Sequence, residues 1–350
     1  MYLTLKELRH DKWKFGALGL IIFLIVFLVL FITGLANGLA NDSGSAIKET
    51  PAETFILQKG SQARLNRSKL TNQDWQKFQN KYHNAATKLS IAQMTIQRQN
   101  NASKKTDIAY FVIDKNSFLA PNTVKNMTGN QVYVSRKLEA DGYKVGDNFK
   151  DSNSGKTFKI AGFTSNESYS HSPVIYLNNK QAQNILPDSQ SFNAVALKEN
   201  LTKRSGYQVI SKQTLINNIP GYSAEQSSLY LMIGFLYLIS LFVLAVFFYI
   251  INLQKISDFG TLKALGTTTS YLVRHVLTEM GLLSAGAILV SFLVTYLIKL
   301  QMPASMPFSL SLTTLLGTGL LFLAIAILSA LLSLIKVVKI DPITAIGGNK

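Results

Sequence analysis

Three long stretches of this 350-residue chain contain no charged residue, and a fourth contains one. They are residues 16–40, 229–253, 276–298 and 310–335, and the single charge is Glu279. About 20 apolar residues cross the hydrocarbon core of a bilayer. Inside that core every backbone N–H and C=O must be satisfied by the chain itself, so an isolated apolar run of this length has to be a helix. The sequence therefore predicts four transmembrane helices. The first run could instead be read as a secretory signal, but its apolar part exceeds the 7–15 or so residues usual for one. An uncleaved helix is expected. Charged residues make up 15% of the chain, against about 25% in soluble domains, as four such runs would require.

The other segments fix the organisation. Residues 1–15 alternate Leu3, Leu5, Leu8, Trp13 and Phe15 with Lys6, Arg9, Lys12 and Lys14, the pattern of a basic amphipathic helix lying on a membrane surface. Residues 41–228 are polar, with 24 Lys and Arg against 14 Asp and Glu. A mixed α+β domain is expected there. The stretch 72–98 lacks Gly and Pro and reads as helix. Strand-like pieces follow at 108–113, 131–135, 158–163, 174–177 and 194–197, separated by turn signals such as Asp141-Gly142, Gly146-Asp147 and Asn153-Ser154-Gly155. Residues 254–275 form a polar linker, 299–309 a short loop with Pro303 and Pro307, and 336–350 a tail. Lys and Arg number four in 1–15, three in 254–275 and three in 336–350, whereas 299–309 has only Lys299. By the positive-inside rule the three basic segments are expected in the cytoplasm and the large domain and proline loop outside.

The net charge of +16 suits anionic lipid or cell-wall polymer, since no nucleic-acid motif accompanies it. The absence of cysteine excludes disulfides, cysteine zinc sites and iron–sulfur clusters. Ser154-Gly155-Lys156-Thr157 imitates the end of a phosphate loop, but Lys150 stands where the first glycine is needed. No nucleophile elbow, paired carboxylates or His-x-x-x-His is present, so nothing points to an enzyme.

In the linker, Ile256, Phe259, Leu262 and Leu265 recur every three residues, with Lys255, Asp258 and Lys263 between them. A short helix on the membrane surface is expected, either solvated or docked into a partner groove. Gly34 and Gly38 are a small-xxx-small pair, suited to helix packing within the subunit or between copies. Glu279 is an intramembrane carboxylate, and so a functional candidate. A hydrated pairing with Arg274 is the plainer expectation.

The run Lys255-Ile256-Ser257-Asp258-Phe259-Gly260-Thr261-Leu262-Lys263-Ala264-Leu265-Gly266 resembles the signature after the second span of FtsX/MacB-like (type VII) ABC-transporter permeases. The ending Asp341-Pro342-Ile343-Thr344-Ala345 resembles their C-terminal signature, and the 1+3 helix topology agrees over the whole chain. Within that family the likeness is greatest to the haem-efflux permeases of Gram-positive bacteria. It is carried by Tyr222-Ser223-Ala224-Glu225-Gln226, Phe247-Phe248-Tyr249, Met302-Pro303 to Met306-Pro307-Phe308, and the tail's Ala345-Ile346-Gly347-Gly348.

The resemblance implies a homodimer in the cell membrane of a Gram-positive bacterium, with both termini cytoplasmic and two copies of a separate ABC ATPase bound. ATP binds the partner, not this chain. Coupling passes through Lys255, Asp258, Phe259, Gly260, Leu262, Lys263 and Gly266. Haem is the implied substrate, with no permanent cofactor. Haem iron takes Tyr, His, Met or thiolate ligands. Tyr169, His171, Tyr222, Glu225, Tyr230 and Met232 are the candidates around the outer ends of the spans. Alternatives within the same fold are export of an antimicrobial peptide or other amphiphile, and FtsX-like transmission of ATPase strokes to a cell-wall hydrolase.

Overall fold

The computed structural model describes residues 6–7, 10–99, 101–183, 185–186, 188, 190–303 and 306–338. Nine helices of four or more residues are described: α1 (Lys12–Lys48), α2 (Asn72–Tyr82), α3 (Lys137–Ala140), α4 (Asn179–Ala182), α5 (Lys212–Asn217), α6 (Tyr222–Gln254), α7 (Ile256–Ala264), α8 (Thr269–Gln301) and α9 (Leu312–Val338). Ten strands lie between α1 and α6: β1 (Thr54–Gln58), β2 (Ala86–Arg98), β3 (Asn101–Val112), β4 (Gln131–Val134), β5 (Asn148–Asp151), β6 (Thr157–Phe163), β7 (Ser168–Tyr169), β8 (Ser172–Leu177), β9 (Ala194–Leu197) and β10 (Tyr207–Ser211). The chain divides into two units. One comprises residues 1–37, 228–302 and 308–350, the other 38–227 and 303–307.

The first unit is a helical bundle. α1, α6, α8 and α9 are each long and apolar enough to cross a membrane, as the four runs predict. α1, α6 and α8 extend past their runs at both ends, and the extension of α1 buries Ala46 and Ile47 in the core of the second unit. Leu18, Ile22, Val26, Leu244, Phe248, Val276, Met280, Phe322 and Ala326 form the bundle core. Many other apolar residues stay exposed, among them Leu231, Phe235, Phe242 and Leu289, as expected for a surface bathed in lipid. Gly34 lies against the Phe308 ring, with a Cβ position only 2.4 Å from ring carbons. Its smallness therefore serves packing within the chain. Gly38 is buried.

The second unit is the α+β domain. Its strands run in the order β10-β1-β9-β2-β3-β8-β4-β6-β5, and β5 returns to pair with β2. The six strands from β2 to β5 thus close into a small barrel. Val132, Val134, Phe149, Phe158, Ile160 and Ile175 fill its interior. The antiparallel half β10-β1-β9-β2 packs Ile56, Val195 and Leu197 against Phe78 of α2.

The expected helix over 72–98 is corrected here. α2 ends at Tyr82, where His83 takes a positive φ (44°); a short turn spans His83–Ala85, and Ala86–Arg98 is β2. The physical reason is pairing: the segment is held as a strand by β9 over residues 86–89, by β3 over 90–98 and by β5 over 96–98. The other five expected strands stand within one or two residues of their predicted ends, apart from β3, which starts earlier, at Asn101. Gly142, Gly146 and Gly155 hold the anticipated turns at positive φ. The C-terminal signature Asp341–Ala345 and much of the expected helix over 1–15 lie outside the described residues.

Candidate functional site

Two places gather chemistry, one in each unit. In the bundle, α7 follows α6 after a single residue, Lys255, which is its N-cap. Asp258 in the first turn and Lys263 in the last match the helix dipole. Gly266, at φ 95°, ends the element, and its N–H donates to the Lys263 carbonyl at 3.0 Å. Only glycine tolerates that backbone cheaply, so Gly266 is a helix stop by structure.

The expected apolar face does turn inward. Phe259 is buried, Gly260 is buried, and Ile256 and Leu262 are half-buried. The exception is Leu265, which is 79% exposed. Ser257, Asp258, Thr261 and Ala264 are exposed with it.

Lys255 faces the bundle instead. Its side chain is 12% exposed, and its Nζ donates to Glu279 Oε1 at 2.5 Å and Glu7 Oε2 at 3.1 Å. Glu7 Oε2 also lies 3.0 Å from His275 Nε2, and Tyr271 stacks on the His275 ring. The Phe15 ring lies 5.0 Å from the ammonium. The expected Glu279–Arg274 pairing is corrected by this arrangement. Arg274 is exposed, Glu279 is fully buried, and its counter-charge is Lys255, 24 residues away in sequence. A buried carboxylate needs such a partner. Glu7, His275 and Glu279 stand close enough to hold a metal ion, but the Lys255 ammonium already fills the cation's role among them.

In the second unit the two-residue turn of the β7–β8 hairpin is Ser170-His171, both at positive φ (50° and 63°). A tight hairpin turn needs φ > 0 at both positions and usually takes Asn-Gly. Bulkier residues there are strained, and persist where surroundings hold them. Here the C-terminal part of α1 does so: Ser170 N–H donates to the Ser43 carbonyl at 2.8 Å and His171 N–H to the Asp42 carbonyl at 3.2 Å.

The turn presents the His171 ring to three oxygens. Nε2 lies 2.9 Å from Ser43 Oγ and 3.3 Å from Glu225 Oε2, and Nδ1 lies 3.4 Å from Asp42 Oδ2. Lys137 forms an ion pair with Asp42, while its own burial pushes the amine down to about 8. Nearby, Glu167 is buried and accepts from Thr164 Oγ1. Burial raises its carboxyl above the usual range.

Of the six residues expected to face haem, the structure brings His171 and Glu225 together. Tyr169 is withdrawn: it is 3% exposed, edge-on to Phe111 at 5.8 Å, and burial raises its phenol's pKa. In this conformation its oxygen is a core atom, because Tyr169 lies in β7 against the core whereas His171 lies in the turn that follows. Tyr222 is half-buried against the same core. In the bundle, Tyr230 and Met232 are 59% and 48% exposed. Asp42 and Lys137 were not foreseen, because nothing in the sequence places residues 42, 137, 171 and 225 side by side.

Four helices long and apolar enough to cross a membrane, with a large domain between the first and second, fit a membrane permease subunit. The FtsX-like permease C-terminal family matches residues 230–342. A protein of Staphylococcus haemolyticus named "Putative hemin transport system permease protein HrtB" is 33% identical over 99% of each chain. One of the same name from Staphylococcus epidermidis is 30% identical over the full length of both. The chain belongs to the FtsX-like permease family, with these proteins among its full-length relatives. Among solved structures, the periplasmic region of MacB from Actinobacillus actinomycetemcomitans aligns with 49% of this chain and 94% of its own at 13% identity, with a TM-score of 0.35. A likeness at that level says nothing of function.

Proposed function

We propose that the chain is the permease subunit of an ATP-driven exporter that extrudes haem from the cell membrane. The observation that carries this reading is the end-to-end similarity to proteins named as hemin-transport permeases. The geometry is consistent with it. The exposed face of α7, with Asp258 and Leu265, has the size and chemistry of a docking ridge for a cytoplasmic ATPase, two copies of which would serve a homodimer. α7 is joined to α6 through Lys255, and Lys255 is bonded to α8 through Glu279. A push on α7 therefore reaches two spans at once.

Haem is flat and apolar with anionic propionates, so it partitions into lipid. In the outer domain His171 is the candidate iron ligand, with Glu225 as its neighbour, and Tyr230 and Met232 are the exposed candidates on the bundle. His and Met are ordinary haem ligands, and Tyr serves in some proteins.

Growth in graded haemin tests the reading. A strain lacking the gene is expected to become selectively haemin-sensitive. Wild type should rescue it, and an Asp258→Ala/Leu265→Asp variant should not. Unchanged haemin tolerance on deletion would refute the substrate, and sensitivity to antimicrobial peptides or a cell-wall defect instead would identify one of the alternatives.

A further inference from the structure

Within the bundle, α1 and α8 are pinned together at two levels. At one end Glu7, just before α1, meets His275 at 3.0 Å. Deeper in, Ser291 Oγ donates to the Phe23 carbonyl at 3.0 Å. Between the pins the two helices leave an apolar groove of about 660 Å³, floored where Gly19 meets Leu283 and walled by Leu20, Phe23 and Val290. A Cβ added at Gly16 or Gly286 would meet no atom within 4 Å, so these glycines keep the groove open. Lys12 lines its end nearest the chain's N-terminus, and Trp13 beside it is 85% exposed.

The dimensions select the occupant. From Lys12 to Phe23 a helix rises about 16 Å, roughly half of a bilayer's hydrocarbon thickness. The groove is therefore one leaflet deep, with apolar walls and a cation at the headgroup level marked by Trp13. A second copy of the chain would present a span that runs on through both leaflets, whereas the groove stops at the Ser291–Phe23 bond. We infer that this groove holds one acyl chain of an anionic phospholipid whose phosphate sits at Lys12. Such a lipid would fill the gap between α1 and α8 beside the Lys255–Glu279 pair, and would belong to the resting structure of the bundle.

Native mass spectrometry of the full chain, released from nanodiscs containing equal phosphatidylglycerol and phosphatidylcholine of identical acyl chains, tests the inference. Wild type is expected to retain one phosphatidylglycerol per chain in preference to phosphatidylcholine. Lys12→Gln should lower that preference roughly fivefold, the effect of one lysine at an anionic surface. Gly286→Leu should abolish retention of either lipid. Gly16→Leu fills the same groove from the other helix and serves if Gly286→Leu fails to fold. Equal retention of the two lipids by wild type, or retention undiminished by both leucine variants, would overturn the inference. So would a leucine variant that separates a dimer while its lipid adduct persists, since the groove would then be a contact between copies.

Discussion

Lys255 and Glu279 show how one buried charge decides the fate of its neighbours. Glu279 is fully buried and bonded to Lys255 at 2.5 Å. Removing one member of such a pair strands the other, at a cost of about 3–5 kcal/mol. Lys255→Met leaves Glu279 without its cation and takes from Glu7 one of its two partners, His275 being the other. Glu279→Gln leaves Lys255 still paired with Glu7 at 3.1 Å. Thermal unfolding of the purified protein in detergent is therefore expected to show a much larger fall in Tm for Lys255→Met than for Glu279→Gln. The double variant should recover much of the loss. Equal effects of the two single changes would show that the pair is not the support of the junction between α6, α7 and α8. The intramembrane carboxylate was legible in the sequence, because an acid in an apolar run is conspicuous. Its partner was not. Arg274 is its neighbour in sequence, and Lys255 becomes its neighbour only when α6 and α8 pack side by side. The resemblance places Lys255 among the coupling residues, and folding turns its ammonium toward Glu279 and Glu7.

At the scale of elements, α2 shows both what local sequence decides and what it leaves open. Its start is written locally. Thr71 caps the helix, and Asp74 completes the reciprocal pair of a capping box. Burial of Asp74 alone would raise its pKa, but hydrogen bonds from Tyr207 and Thr71, with Lys77 nearby, outweigh it and lower the carboxyl from 3.8 to about 2. The Tyr207 hydroxyl donates at 2.6 Å, so the acid ties α2 to β10. A carboxyl with a depressed native pKa contributes stability above its unfolded pKa, and that contribution is lost as pH falls through the native one. The outer domain is expected to weaken between pH 3.8 and about 2, and Asp74→Asn should remove that part of the acid sensitivity. In a Trp13→Phe background the fluorescence of Trp75, on the same helix, reports it directly. An acid transition unchanged by Asp74→Asn would assign the effect elsewhere. The end of α2 was less legible. Residues 83–98 hold no helix breaker, and their strand character rests on three partners, β3, β5 and β9, the last two distant in sequence. Strands β1, β5 and β10 were missed as well, since each depends on a neighbour distant in sequence for its pairing, and β7 because it is only two residues long.

For the whole molecule, the membrane spans were legible because lipid makes the demand on the backbone absolute, whereas the barrel and its companion sheet arise from pairings that no local pattern encodes. Orientation belongs to this scale as well. It rests on the lysines and arginines of the short segments, and the proposed ATPase ridge depends on it. The chain has no cysteine, so a single introduced thiol is unambiguous. Ser205, in the outer domain, and Ser257, on α7, are both exposed, and a serine-to-cysteine change alters little else. With a membrane-impermeant maleimide, Ser205→Cys is expected to label on intact cells. Ser257→Cys should label only after the membrane is opened. That outcome puts α7 on the side where ATP is available and the α+β domain on the side where an exported amphiphile is released. The reverse pattern would invert the protein, remove α7 from any cytoplasmic ATPase and refute the coupling proposal, while leaving the four spans and the Lys255–Glu279 pair as described.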